Sequence, residues 1–404
     1  MLKLLQINVV SNMLSTGKIC EDIAKVAQTK GWQTYIAYGR WAKPSVSEVR
    51  RVGNEWDMYM HFAGHRFFDC EGLGSERATK NLIRWIDEIS PDIIQLHNIH
   101  DHYLNYPILF DYLANLDTPV VWTQHDCWAY TGGCVYHDLY KCEQWREGCK
   151  GECPNRRALF CNKSAKQYAL KQQLFSKVKN LTLVPVSNWL GDLLKQSYLI
   201  DRRIITIHNG IDIQRFHVSD LSRVSCTFNI LGVASVWDAR KGLPDFIKLR
   251  SMLPSDFSIT LVGLTQKQVK ALPSGIKGIT RTSNIEEMVQ LYSDADVFVN
   301  PTYSDNYPTT NLEAMACGTP VITYRTGGSP EAVDEQTGVV VEQGNVDALA
   351  DAIRKMKANP LSSEACRKRA EEHFDKDKCF EKYIELYEEI ANLRDSVYLR
   401  GDNS

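Results

Sequence analysis

Short apolar runs alternate with helix-length stretches through the first half of this 404-residue chain, and the alternation starts afresh in the second half. Such a pattern buries strands on both faces beneath crossover helices, which confines the chain to doubly wound parallel sheets. Residues 4–10, 34–38, 93–96, 120–123, 181–186 and 204–207 read as strands. Residues 18–30 (closed by Gly31), 81–89, 106–115 and 189–196 read as the helices between them. The rhythm restarts with strands at 229–233, 258–262, 297–300, 321–324 and 338–341. Among its helices are 242–249, one opened by Ser329 with Pro330 at its first position, and 346–358 capped by Asn345. A polar stretch near His217–Val224 separates the two halves, and a last helix, 378–393, follows the second sheet. The expected division is therefore 1–217, 218–377 and 378–404: two Rossmann-like α/β domains and a terminal helix.

One run carries most of the chemistry. Asp305-Asn-Tyr-Pro-Thr-Thr-Asn-Leu-Glu313 sets two carboxylates eight residues apart, one in a loop and one in the first turn of a short helix that Gly318 and Pro320 end. A helix N-terminus suits a diphosphate, and flanking carboxylates accept hydrogen bonds from sugar hydroxyls. Thr310-x-x-Glu313 is also a capping box, so a purely structural reading stands beside the functional one. The run follows the 297–300 strand at its carboxyl end, where open α/β sheets bind ligands, and that position favours a nucleotide-sugar site.

Composition narrows the function classes. The net charge of −2 points to neither nucleic acid nor an acidic substrate. The start, Met1–Val10, is too short and too soon polar for a signal peptide, and no apolar run reaches membrane-spanning length, so a cytoplasmic protein is expected. Ser15-Thr-Gly17-Lys18 is not a P-loop, because Asn12 and Ile19 stand where that motif needs Gly and Ser or Thr.

The segment from Pro301 through Gly327-Gly-Ser-Pro-Glu331 resembles the signature of family-four retaining glycosyltransferases of the GT-B fold. Ile207-His-Asn-Gly-Ile-Asp212 with Phe216, Ser235-Val-Trp-Asp-Ala-Arg240-Lys241-Gly242 and Leu14-Ser-Thr-Gly17-Lys18 resemble further pieces of it. His125-Asp-Cys-Trp128 ahead of a cysteine cluster is similar to the bacterial exopolysaccharide subgroup of colanic-acid type. The resemblance implies two domains facing a cleft, the first binding the acceptor and the second the donor, with the final helix crossing back to the first. It implies Glu313 on ribose hydroxyls, Asp305 on the donor sugar, N–H groups around Thr310, Asn311 and Leu312 on the diphosphate, and Arg240 and Lys241 against the leaving nucleotide. Gly17 would admit the phosphates, and His125 would sit near the anomeric carbon for positioning and charge. His97 and His100, after the 93–96 strand, would line the acceptor side or serve as satisfied hydrogen-bonding groups. No catalytic cofactor is implied. The expected partners are a nucleotide-diphosphate sugar and a glycan or polyprenyl-linked acceptor, in surface or exopolysaccharide synthesis. Two departures stand out: Asp305 where the family usually has Glu, and Val236 where it often has Arg, with Arg240 beside Lys241 instead.

The region of about 127–161 is a cysteine-rich insertion. Cys134, Cys142, Cys149 and Cys153 could ligate a structural zinc, with His137 as a substitute ligand; disulfides or ordinary thiols are the alternatives. With little apolar content evident, such a connection is expected to need a staple. Residues 141–180 carry a net charge of +7 with interleaved aromatics, which reads as a solvated face or as a dock for an anionic membrane at its inner face. The second function class is accordingly a cysteine-rich membrane- or partner-binding module on an inactive transferase fold, and a third is a GT-B sugar-nucleotide epimerase.

Overall fold

The structure, a computed structural model, describes residues 1–155, 157–219 and 227–401. Arg156 and much of the expected junction at His217–Val224 fall outside the described residues. Two compact units are present: residues 1–207 with the chain from Phe380 onward, and residues 208–379.

In the first unit, strands β1 (Lys3–Ser11), β2 (Gln33–Ala42), β3 (Glu48–Arg51), β4 (Ile93–Leu96), β5 (Val120–Gln124), β6 (Leu181–Pro185) and β7 (Arg203–Ile204) form a parallel sheet in the order β3-β2-β1-β4-β5-β6-β7. Helices α1 (Leu14–Thr29), α2 (Glu55–Phe68), α3 (Glu76–Ile89), α4 (Tyr106–Leu113), α5 (Ser164–Phe175) and α6 (Asn188–Leu194) connect them. Ile7, Leu96, Trp122, Phe110 and Phe175 join in one buried core. The strand order reverses between β1 and β4, so the loops after those strands form the crevice where such sheets take ligands.

The second unit repeats the plan. Strands β8 (Phe228–Val233), β9 (Phe257–Val262), β10 (Ile276–Ile279), β11 (Val297–Asn300), β12 (Val321–Tyr324) and β13 (Gly338–Val341) pair in parallel in the order β10-β9-β8-β11-β12-β13. Helices α7 (Leu243–Met252), α8 (Gln266–Ala271), α9 (Ile285–Ser293), α10 (Thr309–Ala316), α11 (Val346–Ala358) and α12 (Ser363–His373) pack on it. Its reversal lies between β8 and β11, which brings together residues 234–242 and 301–308. The last helix, α13 (Lys376–Gly401), belongs to the first unit from Phe380 onward. There Tyr383 and Tyr387 are buried, and the Tyr387 hydroxyl donates to Gln95 Oε1 at 2.6 Å.

Four local expectations change. Residues 14–18 are the first turn of α1, not a glycine loop, because Asn12 and Leu14 take left-handed conformations and turn the chain at once. Ser329 does not cap a long helix; Ser329–Ala332 is a single 3-10 turn after Gly328, with the buried Ser329 hydroxyl committed to Asn311. The strand expected at 204–207 shortens to Arg203–Ile204. Thr310 and Glu313 form no capping box: Pro308 stands at the N-cap of α10 and no side chain caps it.

Candidate functional site

In the second unit the loop after β8 is held from below. Trp237 is buried and its Nε1 donates to the Val262 carbonyl at 2.9 Å, while Val236 beside it is exposed. Asp238 accepts from the Arg240 N–H at 3.1 Å and starts a 3-10 turn, Ala239–Lys241. Gly242 ends that turn at φ +71, and a Cβ there would lie 2.3 Å from the Pro301 carbonyl oxygen, so only glycine fits. The Tyr303 N–H donates to the Arg240 carbonyl at 2.7 Å, which ties this loop to the one after β11.

That tie puts the predicted charges together. Lys241 Nζ donates to Asp305 Oδ2 at 2.5 Å, and Arg240 Nη1 lies 3.9 Å from the same oxygen and donates to the Ser304 carbonyl at 3.0 Å. Arg240 Nε also lies 4.0 Å from Asp238 Oδ2, so two cations and two carboxylates meet in the loops after β8 and β11. The first turn of α10 lacks a side-chain cap. The Asn311 N–H donates to the Pro308 carbonyl at 3.1 Å, and the N–H groups ahead of it have no partner within the helix. Asn311 is fully buried; it accepts from Asn300 at 2.8 Å and donates to Ser329 at 3.0 Å, so its side chain locks the helix in place. Leu312 is likewise buried, so its side chain packs inside the unit. Glu313, one turn on, accepts from the Tyr292 hydroxyl at 2.9 Å. Burial and the Glu313 carboxylate push that phenol well above its ordinary range. Gly318, at φ +79, ends α10.

A neighbouring pair was not foreseen. His208 Nε2 meets Glu331 Oε2 at 2.8 Å, and the His208 ring lies 4.8 Å from Tyr307, two residues before α10. Both residues sit inside the motifs already singled out, so the signal was there without the pairing.

In the first unit His97 and His125 leave the carboxyl ends of the adjacent strands β4 and β5. Gln6 sets their protons. Its Nε2 donates to the Cys20 carbonyl at 2.8 Å, so Oε1 faces His97 Nε2 at 3.1 Å and requires a proton there. Burial, and His125 beside it, hold His97 neutral, so its Nδ1 accepts from His125 Nε2 at 3.0 Å. The rings are 15° from coplanar, as an in-plane bond requires. Burial also lowers His125 to about 4, so it is a neutral imidazole with its proton on Nε2. With both nitrogens engaged and 1% exposure, His97 holds His125 and offers no edge of its own. His100 differs. Burial alone would lower it, but Asp126, 2.9 Å away, outweighs burial and raises it to about 9.

Gly17 is buried in α1. A Cβ there would come 3.0 Å from Val10 and 3.2 Å from the Asn12 nitrogen, so its bareness serves the packing of α1 against the end of β1.

The cysteine-bearing connection shares the core of the first unit, contrary to expectation. Trp145 is 1% exposed and packs edge-on to Tyr130 at 5.0 Å, and both belong to the main core with Trp128. Lys171 lies 3.3 Å over the Trp128 ring and donates to its carbonyl at 2.8 Å. Arg157 bonds the Gly132 carbonyl at 2.7 Å and pairs with Asp69 and Glu71 at 3.1 and 3.2 Å. Cys134, Cys142, Cys149 and Cys153 line one small space as free thiols. His137 is engaged by Tyr130 at 3.1 Å and by the Cys142 carbonyl at 3.2 Å. Among the described residues no group of three or more His, Cys, Asp or Glu is placed to hold a metal ion.

A sequence model described as Glycosyltransferase Family 4 matches residues 17–215, and one described as Glycosyl transferases group 1 matches 227–359. The chain belongs to the family-4 glycosyltransferases. It is 24% identical over 413 residues to the putative colanic acid biosynthesis glycosyl transferase WcaC of Escherichia coli K12, covering 96% of this chain and 100% of that one. A local match to the D-inositol 3-phosphate glycosyltransferase of Saccharomonospora viridis is 34% identical over 107 residues, about a quarter of each chain (26% and 25%). Sucrose-phosphate synthase from Thermosynechococcus elongatus has a similar structure, with TM-score 0.72 and 16% identity over 96% of this chain and 99% of that one. Anabaena HepE, solved in complex with UDP, gives TM-score 0.65 at 16% identity over 96% and 100%. These likenesses show that this glycosyltransferase has the GT-B fold.

Proposed function

We propose that this glycosyltransferase moves a sugar from a nucleotide-diphosphate donor to a glycan or lipid-linked acceptor in surface or exopolysaccharide synthesis, with retention at the anomeric carbon. The observation that carries the proposal is the Arg240–Lys241–Asp305 cluster at the uncapped start of α10. Arg240, Lys241 and the N–H groups of the first turn of α10 take the diphosphate and stabilise the charge that grows on it as the glycosidic bond breaks. Lys241 exchanges part of its pairing with Asp305 for phosphate, and Asp305 is then available to sugar hydroxyls. Glu313 takes the ribose hydroxyls in place of Tyr292. In the first unit, His125 is a neutral side chain of fixed tautomer, suited to positioning and not to carrying a charge. The neighbours give independent support: HepE is solved with UDP, with UDP and glucose, and with UDP-glucose, and WcaC is named for colanic acid biosynthesis.

The test is turnover with a panel of UDP-, GDP- and ADP-sugars, with the product anomer read by NMR. Glu313→Ala and Lys241→Ala are expected to lose transfer by about 100-fold or more while circular dichroism stays native. Near-normal turnover in either variant would remove the site assignment, and an inverted product would remove retention.

A further inference from the structure

Helix α2 turns an apolar stripe outward. Trp56, Tyr59, Met60 and Phe67 recur at helical spacing and are 75%, 57%, 65% and 40% exposed. Phe68 follows at 55%, and Phe160, from the end of the cysteine-bearing connection, is 72% exposed. Phe160 stacks on Phe67 with ring centres 5.8 Å apart and planes 15° from parallel, and it lies 6.4 Å from Phe68. The backbones are joined as well: the Leu159 N–H donates to the Arg66 carbonyl at 2.9 Å, and the Phe160 N–H to that of Phe67 at 3.3 Å. Two segments 93 residues apart in sequence thus build one apolar surface. Large apolar side chains left in water forgo the gain of burial, so a set of them on one face marks a surface with a partner.

The chemistry of the patch selects the partner. Trp and Tyr rings settle at the headgroup depth of a bilayer, where an apolar body and a polar edge are both satisfied, and Phe rings bury at the boundary with the acyl chains. Exposed Arg66 and Lys166 and half-buried Lys163 flank the phenyl end, inside or beside the +7 segment. Of the two acids at the start of α2, Asp57 is held in a capping box with Asn54. A second copy of the chain would bring the same cations face to face, whereas anionic headgroups complement them. We propose that the face made by α2 and Phe160 docks into the headgroup layer of an anionic lipid bilayer. The docking needs no nucleotide sugar, so it stands or falls separately from the donor site.

The experiment is co-sedimentation of the full-length protein with phosphatidylcholine vesicles, with and without a third of phosphatidylglycerol. Wild type is expected to sediment with the mixed vesicles. The triple variant Trp56→Ser, Phe67→Ser, Phe160→Ser is expected to partition about tenfold or more weaker. Since these side chains are solvent-facing, the variant keeps its fold, which its melting curve verifies. As a second readout, brominated lipid quenches wild-type tryptophan fluorescence, and the conservative Trp56→Phe removes most of that quenching. Equal sedimentation of wild type and triple variant overturns the proposal. So does a wild-type dimer in light scattering that ignores vesicles and dissociates in the variant.

Discussion

At the scale of residues, the account rests on which charges the loops bring together. Asp305, Glu313, Arg240 and Lys241 were legible in the sequence because each is a polar residue following a strand or opening a helix, where ligands bind. Their ion pair was not, since it depends on a backbone bond between two loops 63 residues apart, Tyr303 to Arg240. The His97–His125 pair was half legible: each residue directly follows one of two neighbouring strands, but the orienting Gln6 comes from a third. These histidines also set a pH dependence. His125, neutral when folded with its value lowered to about 4, takes up a proton more readily when unfolded. Its contribution to stability is therefore full above the ordinary histidine range, near 6.5, and is lost as pH falls from there towards 4. His100 has the opposite sign: raised to about 9, it stabilises fully below about 6.5 and loses that contribution as pH rises through 9. Denaturant melts across pH should show His100→Gln flattening the alkaline limb and His125→Gln the acid limb. If both limbs persist in both variants, the pairing described here does not hold.

At the scale of elements, most strands could be read within a residue or two, because fully buried β strands are continuous apolar runs. Two helices of the first unit could not. The stripe on α2 faces water, so its pattern points away from any core. The buried face of α5 holds Ser164, Gln167 and Lys171, which mimic a solvated face. That polar face packs under the cysteine-bearing connection, whose order comes from Trp145, Tyr130 and Arg157. Trp145→Ala should therefore cost about 3–5 kcal/mol in chemical denaturation and expose the thiols to labelling. Unchanged stability would show that something other than this aromatic core orders the connection. In the second unit the loop after β8 depends on Gly242. Gly242→Ala meets the Pro301 carbonyl and a left-handed backbone, a strain of about 1–3 kcal/mol. Its melting temperature should fall and nucleotide affinity should weaken with it; an unperturbed variant would mean the loop has another conformation.

At the scale of the whole molecule, repetition of the β/α rhythm told of two sheets, and motifs in order told of the family. Where the chain divides was harder to read, because the division lies in ordinary backbone at Ile207 and inside a helix, near its start, at Phe380. The final helix is part of the first unit's core: Phe380, Tyr383, Ile384 and Tyr387 are each 1% exposed or less. Truncation after Cys379 should accordingly lower the melting temperature of the first unit or leave it aggregated, whereas a chain that melts like the full-length protein would refute that role. The central claim is that residues 235–242 and 301–316 form a nucleotide-diphosphate site. Calorimetric titration of the full-length protein with UDP, GDP and ADP, beside Lys241→Ala, tests it most directly. One of the nucleotides should bind wild type, and Lys241→Ala should bind it about 100-fold more weakly, the loss expected of a buried charge-assisted contact. Equal affinity in wild type and variant, or no binding of any of the three, would contradict the account.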